Sequence, residues 1–233
     1  MGMTTPRART AQAAARDGRP LTLAAEAYAR LEEMIILGRL RPDTRLSEQS
    51  LAQELGIGRT PIREALQKLR ENNLVEIIPR AGVFVTRMDV RSQLLVMEVR
   101  RELELLVASR AARRATPEQR QQFRKLAAGM RKSGEKRDKR RLMEIDLKFK
   151  DLSLAAANNV YLSAALAPIH AHSRRFFFSH QETTDPTIAS THADAMEAIA
   201  AGSEERAVAT TAKFLDAMEA FTMAAIAKEL TTQ

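Results

Sequence analysis

The sequence predicts a mainly α-helical protein that consists of a small mixed domain followed by a larger helical bundle. Apolar residues recur with a helical period along most of the chain, and only residues 75–86 have the composition of paired strands. Aromatic residues make up 4% and Trp is absent, so Leu, Ala, Met and Ile must fill the core, which favours packed helices. A chain of 233 residues is long enough for two domains.

Residues 47–69 carry the most specific pattern in the chain, two short amphipathic helices separated by Gly56 and Gly58. Ser47 is a suitable N-cap for the first helix, because its hydroxyl can accept a hydrogen bond from a free backbone N–H. An earlier helical pattern, over residues 23–37, supplies another apolar face. Together these segments predict a helix-turn-helix preceded by a supporting helix.

Two β-rich runs, residues 75–79 and 83–86, follow these helices. Gly82 lies in the tip between them, where its access to positive φ permits a tight turn. Three helices and a terminal hairpin make a winged helix-turn-helix, which we assign to residues 21–88. Residues 1–20 are rich in arginine and are predicted to be a disordered basic tail.

Basic residues cluster at the start of the second helix of this motif. Arg59, Thr60 and Arg63 lie where helix-turn-helix proteins reach base edges in the major groove. The net charge of +8 also suits a polyanionic partner, although most of the excess lies between residues 91 and 150. For Arg63 the alternative is an ordinary exposed ion pair with Glu64. These features predict a domain that binds double-stranded DNA.

The spacing of many residues in this segment matches that of one known family. They are Tyr28, Leu31, Ile35, Gly38, Leu40, Pro42, Leu46, Ser47, Glu48, Leu51, Ala52, Leu55, Gly56, Arg59, Thr60, Pro61, Ile62, Arg63, Glu64, Ala65, Leu66, Leu69, Leu74, Val75, Gly82, Phe84 and Val85. On these residues, the stretch 24–86 resembles the N-terminal domain of GntR-family repressors. The resemblance implies that Arg59 and Arg63 contact bases, preferably guanine. It also implies that Thr60 binds a phosphate or a base methyl group and that Gly82 lets the wing enter the minor groove.

Further positions are assigned by the same resemblance. Ser47 and Gln49 are expected to contact the DNA backbone. Arg80 is a candidate minor-groove residue, although the family often has its basic wing residue one position later, where this chain has Ala81. Gly58 replaces a common Ser or Thr, which removes a side-chain cap, and Gln49 is neutral where some relatives carry Arg. These two changes predict weaker or altered recognition of a half-site.

After residue 89 there is no alternating strand pattern. Six segments with helical periodicity follow, at residues 94–112, 117–130, 140–156, 161–178, 188–201 and 204–230. They predict an all-helical domain of six or seven helices over residues 89–231, with the basic run 131–141 as a solvated loop. Motifs at residues 98–104, 146–150 and 192–202 resemble the FadR-like GntR subfamily. That resemblance implies an FCD-type domain for ligand binding and dimerisation.

Many FadR-like proteins hold a divalent metal in this domain with one Asp and three His. In this chain Asp146 and His192 match two of these ligands, but Lys150 and Phe214 stand where two histidines are expected. Ammonium and phenyl groups cannot coordinate a divalent ion. We therefore expect no metal cofactor, with Asp146 and His192 as residual candidate ligands.

Lys150 lies one helical turn from Asp146, so it could supply the positive charge that a metal offers to a carboxylate effector. The alternative is an ordinary ion pair between them on a helix surface. Arg100 is a second candidate contact for an anionic effector, and His192 is expected to face the same pocket. His170 is expected at the surface or at a helix end.

Composition excludes several other classes of protein. Cys is absent, which rules out disulfides and thiolate metal sites, and no stretch approaches the roughly 20 apolar residues that span a bilayer. No catalytic triad pattern or phosphate loop supports an enzyme. We therefore predict a cytoplasmic, ligand-responsive repressor that binds a short palindromic operator as a homodimer, with a small organic acid or related metabolite as effector. The alternative is a constitutive or architectural DNA-binding protein with a degenerate effector pocket.

Overall fold

The computed structural model describes residues 22–87, 90–180 and 186–232, and two compact units divide between Thr86 and Arg87. The basic tail expected at residues 1–20, and the expected domain limits at 21, 88 and 89, lie outside these ranges. In the first unit the elements are α1 (Leu23–Ile36), β1 (Arg45–Leu46), α2 (Glu48–Leu55), α3 (Arg59–Glu71), β2 (Val75–Ile78) and β3 (Gly82–Val85). In the second they are α4 (Val90–Arg114), α5 (Pro117–Glu135), α6 (Lys139–Ala157), α7 (Val160–His180), α8 (Pro186–Ala201) and α9 (Glu204–Thr232). The predicted fold class, a winged helix-turn-helix followed by an all-helical domain, is confirmed.

Local chemistry sets the turn between α2 and α3. The Ser47 hydroxyl accepts a hydrogen bond from the Ser50 N–H at 3.4 Å and caps α2. Gly56 ends α2 in the left-handed conformation, with φ 66°, which favours glycine because it has no Cβ. Buried apolar residues of α1 and α3, including Leu31 and Ile62, then fix the two helices against each other.

The wing is a three-stranded antiparallel sheet in the order β1-β3-β2. The hairpin of β2 and β3 was predicted, whereas β1 was not, because two residues show no periodicity. At the tip, the Ala81 N–H donates to the Ile78 carbonyl at 3.1 Å and Arg80 has φ 63°. With Pro79 before it, Arg80 occupies the position of a type II turn that usually belongs to glycine.

The core of the second unit lies between α4, α5, α6 and α8, with Phe123 and Met196 fully buried. Helices α5 and α8 are in close contact at Gly134. A Cβ added to Gly134 would lie 2.5 Å from the Cβ of Ala189, so a residue with a side chain does not fit there without movement of a helix.

The predicted loop at residues 131–141 is wrong. Helix α5 continues to Glu135, and only residues 136–138 connect it to α6. The Arg131 guanidinium bonds Asp194 of α8 at 2.6 Å and lies 3.2 Å from a carboxylate oxygen of Glu197. These ion pairs hold Arg131 against α8, whereas the density of charge in the basic run had predicted a solvated loop.

Candidate DNA-binding surface and effector cavity

The predicted recognition residues lie together on the exposed face at the start of α3. Arg59 is its first residue, Thr60 follows, and Arg63 lies one turn later, all three exposed. Gly58 is the N-cap and makes no side-chain capping bond. The free N–H groups and the positive end of the helix dipole therefore add to the attraction of this surface for phosphate.

Glu48 of α2 forms ion pairs with both arginines of this surface, Arg59 and Arg63. Its carboxylate accepts two hydrogen bonds from Arg63, at 2.9 and 2.8 Å, and lies 4.0 Å from Nη2 of Arg59. The bond to Arg63 lowers the pKa of Glu48, outweighing the opposing effect of burial. In the described chain the ion-pair partner of Arg63 is thus Glu48, not the Glu64 considered from the sequence. The sequence offered no signal for this pair, because only tertiary packing brings the start of α2 beside α3.

The remaining DNA-binding candidates occupy two other edges of the same unit. Ser47 caps α2 and Gln49 is exposed in its first turn. In the wing, Arg80 is exposed at the tip, and a Cβ on Gly82 would come within 3.1 Å of Nε of Arg45. Gly82 therefore leaves room for Arg45, an exposed cation on β1 of the wing that sequence reasoning missed.

The second unit contains a cavity of about 50 Å³. It brings together all four residues proposed from the sequence to bind an effector, which come from α4, α6 and α8. Its polar lining consists of Arg100, Asp146, Lys150, Ser173, Arg174 and His192. Among the described residues, the charged side chains that line a smaller adjoining cavity are Arg100, Glu104 and Lys150.

Lys150 and Asp146 form a buried ion pair instead of a surface pair. Nζ of Lys150 lies 3.0 Å from Oδ2 of Asp146, and Nε of Arg174 lies 3.9 Å from the same oxygen. Burial lowers the pKa of Lys150 to about 8, despite the opposing charge of Asp146. Burial raises the pKa of Asp146, but the charges of Lys150 and Arg174 outweigh it and hold that pKa well below its usual range. Sequence reasoning missed Arg174, because an arginine on a largely apolar helix normally extends its charged end to solvent.

A second buried polar cluster lies behind this pair. Oε1 of Glu104 is 2.8 Å from Nε2 of His170 and 3.4 Å from Nε of Arg100. Burial opposes ionisation of Glu104, yet His170 and Arg100 lower its pKa to about 2. The prediction that His170 lies at the surface or at a helix end is wrong. It is buried within α7, because it is the hydrogen-bonding partner of a buried carboxylate.

His192 is enclosed by aromatic rings. It stacks on Phe214 at 4.0 Å between centroids and meets Phe149 edge to face at 4.8 Å. Burial lowers the pKa of His192 to about 4, so its ring is neutral at pH 7. Phe214 thus lies at the position expected for a metal-binding histidine, against the one histidine that remains.

These residues do not fit a divalent metal. Over the described ranges, no cluster of three or more His, Cys, Asp or Glu side chains is placed to share an ion. The Lys150 ammonium already occupies the space beside Asp146, and the Phe214 ring covers a face of His192. A cation and a phenyl group offer no lone pair to a metal.

A winged helix-turn-helix with exposed arginines, followed by a helical domain with a charged cavity, defines the class of winged-helix DNA-binding regulators. Residues 23–85 match the family described as bacterial regulatory proteins, gntR family, and residues 95–217 match the FCD domain. The chain belongs to the GntR family and carries an FCD domain. No helix within the described ranges has the length and apolar character needed to cross a membrane.

Similar proteins bear the names of transcriptional regulators, not of enzymes. The chain is 28% identical over 120 residues to the regulator McbR of Escherichia coli, which is 52% of this chain and 54% of McbR. It is 34% identical over 92 residues to the repressor RspR of the same species, 40% of each chain. These alignments span about half or less of the length of the curated relatives. The solved structure of Escherichia coli McbR/YncC covers 87% of this chain and 98% of its own, with a TM-score of 0.73 and 20% identity, which shows a shared fold.

Proposed function

We propose that this chain is a ligand-responsive transcriptional repressor that binds a short palindromic operator as a homodimer. The observation that carries the proposal is the exposed face of α3, where Arg59 and Arg63 are oriented by a carboxylate of the neighbouring helix. Such a fork of donors suits the O6 and N7 acceptors of guanine in the major groove. The name of RspR, a repressor, supports the direction of control.

The geometry of DNA supports a homodimer. A single α3 reads only a few base pairs, and two-fold related copies can place two recognition helices one helical turn apart on a palindrome. We infer that an effector, a small organic acid or related metabolite, binds the cavity of the second unit. It changes DNA affinity only as far as it prefers one arrangement of the dimer.

Selection of genomic DNA fragments by the purified chain tests this proposal. Selection is repeated at two salt concentrations, because phosphate contacts weaken with salt while base contacts persist. We expect a palindromic site whose occupancy withstands the higher salt, and we expect Arg63→Gln to abolish its enrichment. Arg140→Gln removes another exposed, ion-paired cation, in the second unit, and serves as the control. Binding without sequence preference would contradict the proposal.

The alternative is a constitutive binder whose cavity no longer accepts a ligand. The cavity is lined by several buried charges, which are costly to maintain in an apolar interior without a role. This favours a working effector site. Stabilisation by a small molecule that binds only the folded state would decide for the sensor.

A further inference from the structure

We infer that the cavity of the second unit binds a small carboxylate through Arg100 and Lys150, without any metal ion. The inference rests on the proposed function, because it takes this cavity as the effector site. It differs from the arrangement that the FadR-like resemblance implies, in which a divalent ion would receive the carboxylate.

Arg100 offers the primary contact. Its side chain is 2% exposed and lines both cavities. Within the described chain its one hydrogen-bonding partner is Glu104, which accepts from Nε at 3.4 Å, and Phe214 lies under the guanidinium at 5.8 Å. The two terminal amino groups are left with donors for the cavity. Two parallel donors match the two oxygens of a carboxylate.

Lys150 supplies a second cation at the same place. Its ammonium carries three donors, and the described residues give it one partner, Asp146 at 3.0 Å. It is buried and lines both cavities beside Arg100. Because Lys150 stands where the resemblance places a metal-binding histidine, its fixed charge takes over the electrostatic role of the ion.

The charge of the lining predicts the charge of the ligand. Three cations, Arg100, Lys150 and Arg174, and two carboxylates, Glu104 and Asp146, line the two cavities among the described residues. Because cations outnumber carboxylates in this lining, an anionic ligand is favoured over a neutral or a cationic one.

The size of the cavity agrees with a small ligand. Its volume of about 50 Å³ is far below the roughly 300 Å³ at which drug-sized ligands begin to be enclosed. Apolar side chains, among them Met130, Leu142 and Ile188, form the rest of the wall and would cover the hydrocarbon part of such a ligand.

The test measures thermal unfolding of the full chain after exhaustive chelation, with acetate, propionate and lactate as probes. We expect at least one monocarboxylate to raise the melting temperature, with no further rise on addition of zinc or manganese. Lys150→Gln and Arg100→Gln each remove a charge-assisted contact and should weaken binding roughly ten- to a hundredfold. Lys148→Gln, an exposed change in the same helix, should leave binding unchanged.

A reciprocal variant sharpens the test. Lys150→His with Phe214→His restores the side chains that the resemblance associates with a metal, so carboxylate binding should become sensitive to chelation in this variant. Loss of binding on chelation of the unaltered chain would overturn the inference, and this experiment does not depend on the folding of any variant. The inference would also be overturned if none of the three monocarboxylates stabilised the chain. Selection of a palindromic DNA site by the chain would still support the DNA-binding part of the proposed function.

Discussion

Replacement of Asp146 by asparagine tests whether the buried charges of the cavity are held in balance. The change keeps the shape of the side chain and removes the negative charge that faces Lys150 at 3.0 Å and Arg174 at 3.9 Å. Both cations are almost fully buried, so neither can turn to solvent for compensation. Asp146→Asn should therefore destabilise the second unit strongly.

The magnitude follows from the state of Lys150. Its pKa of about 8, against an ordinary value of 10.5, already represents about 3 kcal/mol that opposes the charged form in the folded state. Loss of one partner from a buried pair typically costs about 3–5 kcal/mol. We expect Asp146→Asn to lower the free energy of unfolding by that amount at pH 7, with the loss diminishing as the pH is raised and Lys150 releases its proton.

Urea unfolding followed by circular dichroism, at one protein concentration, measures this effect. The double variant Asp146→Asn with Lys150→Met removes both charges and should lose much less than the sum of the two single changes. A cost below about 1 kcal/mol for Asp146→Asn, or strict additivity in the double variant, would refute the reasoning.

Three further results are expected. Glu48→Gln releases Arg63 from its ion pair and removes a negative charge beside the DNA-binding surface. Binding to non-specific DNA should therefore strengthen, and the ratio of operator affinity to non-specific affinity should fall. Equal changes in affinity for both DNAs, measured by fluorescence anisotropy, would contradict this. Gly58→Ser should stabilise the protein by a few tenths of a kcal/mol in thermal unfolding, because the new hydroxyl can cap α3. The backbone accepts the change, since φ is −60° and an added Cβ would lie 3.7 Å from Pro61. Destabilisation would argue against an N-cap that lacks a side-chain hydrogen bond. The pKa of His192 is about 4 in the folded state, against an ordinary value of 6.5 in the unfolded chain, so the unfolded chain takes up a proton first as the pH falls. The free energy of unfolding should therefore fall by about 3 kcal/mol between pH 6.5 and 4. His192→Phe should remove that component, and an unchanged acid limb would count against it.

The elements that the sequence predicted well are those whose signals are local. The amphipathic periods of α2 and α3, the cap at Ser47 and the glycine at position 56 are each readable within a few residues. The spacing of Asp146 and Lys150 on one helix also predicted that the two side chains lie side by side. Here the family resemblance supplied what local pattern alone could not, namely that α4 and α8 contribute to the same site.

The features that escaped prediction depend on contacts between distant segments. Glu48 reads as a favourable first-turn residue of α2 until packing places Arg63 opposite it. His170 looks solvated in sequence, but Glu104 in α4, 66 positions away, gives it a buried partner. Likewise Arg131 was predicted to lie in a loop because of its charge, whereas it pairs with Asp194 on α8, which is distant in sequence. Charged residues are the hardest to place, because their burial depends on a partner that no local window contains.

The close approach of α5 and α8 at Gly134 has a consequence for the diversity of ligands. Ala189, which Gly134 faces, also lines the cavity, and so do Met130 on α5 and His192 on α8. The distance between two cavity walls is therefore set by a residue that has no side chain and is not itself part of the lining. One methyl group added there would wedge the helices apart and widen the chamber. In evolution, the size of the chamber can thus change through a residue outside the lining while every lining residue stays the same.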